Sequence, residues 1–150
     1  MGNICTFLGH RDASAEVKSG LAVAVRKLII ENRVDTFWLG GHGNFDNYAA
    51  QILRKLKAEF PHIQLILILA YPQQLQKFDS LLPFDGFDYP ADAQATPYKY
   101  AISARNRYMV KNADFVISYV WKEYGGAYEA LKIAQNNNKT IINLAQKTGS

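Results

Sequence analysis

The sequence contains a single cysteine, Cys5, among its 150 residues. An intrachain disulfide therefore cannot form, and a metal centre built from several thiolates is excluded. We expect Cys5 to pack as a small apolar residue in the first strand, without a redox role. The histidines give no metal signature either, because His10, His42 and His62 are scattered and none stands at ligand spacing from a carboxylate. No metal site and no required cofactor are predicted.

Long apolar runs are also missing. No stretch reaches the ~20 apolar residues of a membrane-spanning helix, and the first residues lack the basic and long apolar regions of a signal peptide. A cytoplasmic protein with no membrane partner is expected. The sequence has no internal repeat, low-complexity segment or linker, and 150 residues that are 49% hydrophobic suffice for one core. We predict a single domain over residues 1–150.

Concentrated charge is the third absence. The net charge of +4 is modest, and the basic residues are spread along the chain. This balance suits an anionic ligand without requiring nucleic acid, for which a dense basic patch is typical.

Short apolar runs alternate with amphipathic segments along the chain. The predicted strands cover residues 4–8, 35–39, 64–69, 114–119 and 140–144; the predicted helices follow the turn at 9–12, with Asp12 or Ser14 as cap, and then cover 45–59, 98–112 and 127–136. Strands joined by helical crossovers predict an α/β, Rossmann-like, doubly wound, mainly parallel sheet of about five strands in three layers. Residues 70–97, which hold four of the five prolines, are expected to leave the sheet at its carboxyl edge as a pocket wall or lid.

Glycines follow two of these strands, where a parallel sheet binds its ligands. Gly40, Gly41 and Gly43 precede a helix and predict a phosphate loop, because glycines expose successive amide donors. The lysine and hydroxyl of a Walker loop are absent after Gly43, and the spacing is not that of a dinucleotide fingerprint. Asp46 is interpreted either as a helix cap or as a partner of a ribose hydroxyl.

The turn after the first strand offers a second set of candidates. Gly9 permits the tight turn, and the guanidinium of Arg11 suits a phosphate. The alternative for Arg11 is an ion pair with Asp12 or Asp46 that orders the sheet edge. His10 either donates to a phosphate or acts as a general acid, or it is a structural hydrogen-bonding residue.

Four segments at strand-to-helix junctions carry a resemblance that covers nearly the whole chain. They are Cys5–Arg11, Gly40–Ala50, Arg105–Asp114 and Gly125–Ala134. Together they resemble the small bacterial proteins of the SLOG superfamily, which is named for its DNA-processing (DprA/Smf-like) and LOG (lysine-decarboxylase-like) branches. The resemblance implies a Rossmann-like fold that binds nucleotides or nucleotide-derived ligands. It further implies, in the LOG branch, cleavage of the bond between base and ribose phosphate.

The resemblance implies a catalytic role for Arg105, because its spacing to Asp114 matches that of the arginine of the LOG branch. The alternative is a solvated basic face of the predicted helix. Gly125 and Gly126 imply a second ligand loop. The proline, Gly-Thr and glutamate of the LOG pattern are replaced here by other residues, which puts hydrolysis in doubt, although Glu129 one turn earlier is a candidate acid or base. The alternative for Glu129 is stabilisation of the helix dipole.

Tyr124 and Trp121 flank the glycine pair, where a base or ribose would stack. Three functions remain open. The leading hypothesis is a sensor or ligand-handling domain that binds a nucleotide-derived phosphate ligand. The alternatives are a nucleoside monophosphate N-glycosidase of LOG type and a single-stranded DNA-binding protein of DprA type. The resemblance also implies a homo-oligomer, a dimer or larger.

Overall fold

The computed structural model describes residues 3–77 and 84–145. Within these ranges six strands alternate with helices. The strands are β1 (Ile4–Gly9), β2 (Thr36–Leu39), β3 (Gln64–Ile68), β4 (Gly86–Asp88), β5 (Phe115–Tyr119) and β6 (Thr140–Asn143); the α-helices are α1 (Val17–Glu31), α2 (Gly43–Glu59), α3 (Ala91–Gln94), α4 (Ala101–Asn112) and α5 (Gly126–Asn136). Two 3₁₀ segments, Pro72–Lys77 and Tyr98–Tyr100, lie in the longest connections.

All strands of this sheet are parallel, in the order β4-β3-β2-β1-β5-β6. The chain first moves outward from β1 to β4 and then returns to place β5 on the other side of β1. Connections therefore leave β1 and β5 in opposite directions, and their carboxyl ends border the crevice in which open α/β sheets bind ligands. The predicted doubly wound, three-layer α/β fold is confirmed.

Helices cover both faces of the sheet. Helices α1 and α2 pack on each other on one face, while α4 packs on α5 on the other. The pleat of β1 serves both layers, because Phe7 belongs to the core beneath α1 and α2 and Leu8 to the core beneath α5. Fully buried Leu65 and Leu67 identify β3 as an interior strand, but β1 occupies the centre.

The strand count differs from the prediction, because β4 lies within the proline-rich excursion. This strand has three residues at the edge of the sheet, too few for a period-2 pattern. Its position depends on tertiary contacts: the Asp85 carboxylate accepts the Leu65 amide at 2.8 Å, and the Asp88 carbonyl accepts the Leu69 amide at 2.8 Å. Residues 78–83 of the same excursion lie outside the described residues.

The start of α1 also differs from the prediction. The helix begins at Val17 with Glu16 at the cap position, and within residues 3–77 and 84–145 no side chain caps its amides. Ser14 instead uses its hydroxyl oxygen to accept the Glu16 amide, at 3.3 Å, in the turn that precedes the helix. Within the described ranges no helix combines the length and apolar character needed to cross a bilayer.

Gly9 tests the packing at the end of β1, and Gly20 in α1 is its control. A Cβ on Gly9 would lie 2.3 Å from Cγ of Phe45, whereas a Cβ on exposed Gly20 would meet only Leu144, at 3.8 Å. We predict that Gly9→Ala lowers the free energy of unfolding by roughly 1–3 kcal/mol through overpacking. We predict that Gly20→Ala raises it by about 0.5–1 kcal/mol, because alanine favours the helix. Urea denaturation checks both, and equal effects of the two substitutions would contradict the packing argument.

Candidate ligand-binding site

A cavity of about 470 Å³ lies over the carboxyl ends of β1 and β5. Three connections and one helix surround it. The turn after β1, the loop after β2 and the loop after β5 form its rim, and α4 forms a wall. The predicted residues that the structure brings together there are Gly9, His10, Arg11, Asp46, Arg105, Tyr124, Gly125 and Gly126.

The amino end of α5 opens into this cavity. Gly125 precedes the helix with φ +95°, and apart from adjacent residues and the helix's own backbone no atom of the described ranges lies within 4 Å of a Cβ placed on either Gly125 or Gly126. No side chain among the described residues caps the helix. The first intrahelical bond runs from the Glu129 amide to the Gly125 carbonyl, at 3.1 Å, so the amides of the preceding turn are available to a ligand. Free amides and the positive end of the helix dipole together favour an anion at this place.

Two basic residues, Arg11 and Lys122, line the same cavity as this helix end. Lys122 forms a 3.5 Å ion pair with Asp12, which joins the rim loops after β1 and β5. Arg11 is exposed and forms no ion pair in the part of the chain that the structure describes. The alternative that Arg11 forms an ion pair with Asp12 or Asp46 is therefore not observed. Asp12 forms its ion pair with Lys122 instead. The guanidinium of Arg11 remains available to an anion in the cavity.

His10 fixes the rim loop after β5. Its Nε2 accepts the amides of Trp121 at 3.1 Å and Lys122 at 3.3 Å. Because backbone amides only donate, the imidazole must be neutral with its proton on Nδ1. Burial and the nearby charge of Lys122 lower the pKa of His10, which favours this form. The structure thus gives His10 the structural role that the sequence left open, although the ring also lines the cavity.

The glycines of the loop after β2, Gly40, Gly41 and Gly43, do not line the cavity, although they were predicted to bind the phosphate; from this region only His42 and Asp46 do. The His42 amide donates to the Asp46 carboxylate at 3.2 Å, and the amides of Gly40 and Gly41 also stabilise its charged form. The loop therefore holds an anion that belongs to the protein. Asp46 lies in the first turn of α2 with a role close to the predicted cap, because its carboxylate binds the amide of the N-cap residue His42.

Each position of this loop favours glycine because of its packing or its backbone conformation. A Cβ on Gly40 would lie 2.7 Å from Cζ of Arg105. Gly41 and Gly43 have φ of +74° and +85°, which favour glycine. A Cβ on Gly43 would also lie 2.6 Å from Cα of Arg11, so the rim loops after β1 and β2 touch there.

Arg105 is 2% exposed, which excludes a solvated helix face. Its Nη1 donates to the carbonyls of Gly40 at 2.7 Å and Ile68 at 3.0 Å, just after β2 and at the end of β3. Its Nη2 lies 3.3 Å from Nδ1 of His42, and its Nε donates to Oδ1 of Asn106 at 2.9 Å. These contacts fasten α4 to the sheet. Most of the guanidinium is thus engaged by the protein, and its catalytic role stays a prediction.

Asp46 is the buried carboxyl group of the cavity. Loss of solvent raises its pKa to about 6, against the opposing effects of the Arg105 charge and the loop amides. Glu129, in contrast, is exposed and does not line the cavity. Tyr124 is 69% exposed at the rim, whereas the Trp121 ring packs edge-on against His10 at 4.1 Å.

Several lining residues were not among the predicted ones. Ile102, Asn106 and Met109 face the cavity from α4 together with Arg105. Their spacing of three or four residues is the helical signal that could have found them once Arg105 was placed at the site. Lys122 lacked such a signal, because its position depends on the path of an irregular loop. The described ranges contain no cluster of three or more histidine, cysteine or acidic side chains able to hold a metal ion.

Comparison with known proteins agrees with this architecture. The YpsA family model, described as the YspA SLOG family, matches residues 2–146. The chain belongs to this SLOG family. The expected membership of the SLOG superfamily is confirmed, and no curated protein matches the chain.

Solved structures of DNA processing protein A (DprA) share the fold. DprA from Streptococcus pneumoniae aligns with a TM-score of 0.67 at 17% identity, covering 93% of this chain and 49% of that one. DprA from Helicobacter pylori, studied for its single-stranded DNA binding mode, aligns with a TM-score of 0.67 at 20% identity, covering 98% of this chain and 67% of that one. This chain thus spans about half the length of the Streptococcus protein, and the likeness to both establishes the fold.

The raised pKa of Asp46 gives a pH dependence of stability. Well below pH 3.8 the carboxyl is protonated in the folded and unfolded chain alike. Between its ordinary pKa of 3.8 and about 6, mainly the folded chain retains the proton. The free energy of unfolding therefore falls by at most about 3 kcal/mol as pH rises through this interval. Above the interval it levels off. We expect Asp46→Asn to remove this contribution.

The measurement is urea denaturation of the native protein and Asp46→Asn between pH 3.5 and 7.5. The difference in unfolding free energy between them should change by roughly 1–3 kcal/mol across pH 4–6. Taking the difference cancels titrations that both proteins share. Parallel profiles would show that Asp46 titrates as an ordinary surface carboxyl group.

Proposed function

We propose that the protein binds a nucleotide or nucleotide-derived phosphate ligand in this cavity, as a sensor or ligand-handling domain. The observation that carries the proposal is the uncapped amino end of α5, which meets the cavity where Arg11 and Lys122 supply positive charge. SLOG family membership and the DprA-like fold support a function connected with nucleotides or nucleic acids.

Both charged and apolar residues line the cavity. We place the phosphate at the amides of Gly126 and Ala127, with the guanidinium of Arg11, which lines the same cavity, as its second partner. Ile102 and Met109 of α4 offer an apolar surface for a base or ribose. The exposed ring of Tyr124 adds a stacking surface at the rim. One ligand with both an anionic and a planar apolar part uses all of these features.

Gly126→Glu tests the phosphate position. The added carboxylate has open space, and an acidic residue in the first turn favours the helix, so the fold should be retained. Charge repulsion at the helix end should weaken phosphate-ligand binding by at least about tenfold. Native mass spectrometry with nucleoside monophosphates, NAD and ADP-ribose, followed by calorimetry of the ligands that bind, gives the comparison.

The matched control is Gly20→Glu, which adds the same charge on α1, away from the cavity. It should bind as the native protein does. Equal binding by the native protein and both variants would show that the ligand does not lie at the amino end of α5. The lack of any adduct would overturn the proposal. The same spectra report the subunit count and thereby test the proposed homo-oligomer.

Asp46 favours base–ribose hydrolysis as a second candidate function. Its carboxyl lies in the cavity with a pKa of about 6, which suits a general acid or base near neutral pH, whereas exposed Glu129 is poorly placed for that role. Hydrolysis predicts release of free base in the same spectra, and loss of release in Asp46→Asn. Retention of intact adducts alone contradicts it.

Single-stranded nucleic acid is a further candidate, supported by exposed aromatic rings at the carboxyl edge. Tyr98 is 72% and Tyr100 is 53% exposed just before α4, and Tyr124 lies at the rim loop after β5. Lys99 and Lys122 carry positive charge beside such rings. This function predicts that an oligonucleotide binds more tightly than a mononucleotide and that its affinity falls steeply with salt.

A further inference from the structure

The hydrogen-bond polarity of Asn106 is fixed by its neighbour. Nε of Arg105 donates to Oδ1 of Asn106 at 2.9 Å. A guanidinium has donors only, so the oxygen of the amide must face it, and a flipped amide would set donor against donor. The orientation of the Asn106 side chain therefore follows from chemistry.

Arg105 cannot move aside to release this constraint. Its Nη1 is held by the carbonyls of Gly40 and Ile68, and the whole residue is 2% exposed. A buried guanidinium that left these acceptors would forfeit several hydrogen bonds at once. The amide of Asn106 thus stays in one orientation whether or not a ligand is present.

The remaining group, the Nδ2 amide of Asn106, is a donor on a residue that lines the cavity. Asn106 is half-buried and lines the cavity, and the structure shows no acceptor for Nδ2 among residues 3–77 and 84–145. Its neighbours along the same side of α4 are Ile102 and Met109, which also line the cavity. A single donor between two apolar side chains suits the edge of a planar base better than a phosphate. Of the positive charges that line the cavity, Arg11 and Lys122 belong to the rim loops, and the guanidinium of Arg105 is held by carbonyls of the protein.

We infer that Asn106 selects nucleotides whose base presents a carbonyl oxygen, a 6-oxopurine or a 4-oxopyrimidine, over their amino counterparts. This inference rests on the proposed nucleotide site and names the ligand class for it. The Nδ2 amide donates to an exocyclic oxygen, whereas an exocyclic amino group would oppose one donor with another. A site committed to one polarity discriminates against the ligand of opposite polarity, because a buried donor is then left unpaired.

The test compares nucleotides that differ chiefly at this edge. Calorimetry measures inosine against adenosine monophosphate and uridine against cytidine monophosphate. The native protein should bind the oxo member of each pair about tenfold more tightly, the effect of one hydrogen bond made or lost. Asn106→Asp keeps an oxygen for Arg105 but turns the other atom into an acceptor, and it should abolish or reverse the preference.

Asn112→Asp is the matched control, because it makes the same change on the same helix outside the cavity. It should retain the native preference. A second readout uses the native protein alone: the Asn106 side-chain amide resonances should shift more with inosine than with adenosine monophosphate.

The outcomes separate the two proposals. Equal affinities within both pairs, or an unchanged preference in Asn106→Asp, overturn the role of Asn106 and leave the nucleotide site intact. Binding of none of the four nucleotides overturns the nucleotide site and this inference with it.

Discussion

The hydrogen bonds of the buried Arg105 guanidinium are the interactions on which the carboxyl edge of this sheet depends. The carbonyls of Gly40, just after β2, and of Ile68, at the end of β3, both accept hydrogen bonds from this one buried cation. Gln74 adds a second donor to the Gly40 carbonyl, at 2.9 Å, and caps the chain after β3 through its own oxygen. Burying a guanidinium is costly, and this set of acceptors, with the charge of Asp46 nearby, offsets the cost.

This arrangement also determines what remains for a ligand. The amides of the first glycine loop serve the carboxylate of Asp46, and His10 uses its acceptor on the loop after β5. The lining residues still offer donors that the described part of the protein does not use: the amides that begin α5, the guanidinium of Arg11 and the Nδ2 amide of Asn106, while the carboxylates of Asp12 and Asp46 are held by Lys122 and the loop amides. A cavity of this polarity favours ligands rich in acceptors, which phosphates and oxo bases are.

Much of the fold follows from local sequence patterns. Five strands and four helices were predicted close to their observed positions, because each has its own apolar periodicity and lies between glycine or polar turns. Strand β4 was missed, since three edge residues carry no period and are held by contacts with β3. The predicted cap of α1 was wrong, because the Ser14 hydroxyl accepts a hydrogen bond from the Glu16 amide within the preceding turn. Family membership rested on short segments at strand ends, and the family model confirms it.

The sequence by itself determined the alternation of strands and helices, and with it the sheet edge at which the candidate residues gather. Only the tertiary structure decided what each of them does there. Two glycine loops look alike in sequence, but one encloses the Asp46 carboxylate and the other stands open at α5. In the sequence Arg105 cannot be told from a charged residue on a helix surface. In the fold its guanidinium donates to the carbonyls of Gly40 and Ile68. The physical reason is that a hydrogen bond between distant segments depends on how the layers pack, which no local pattern records.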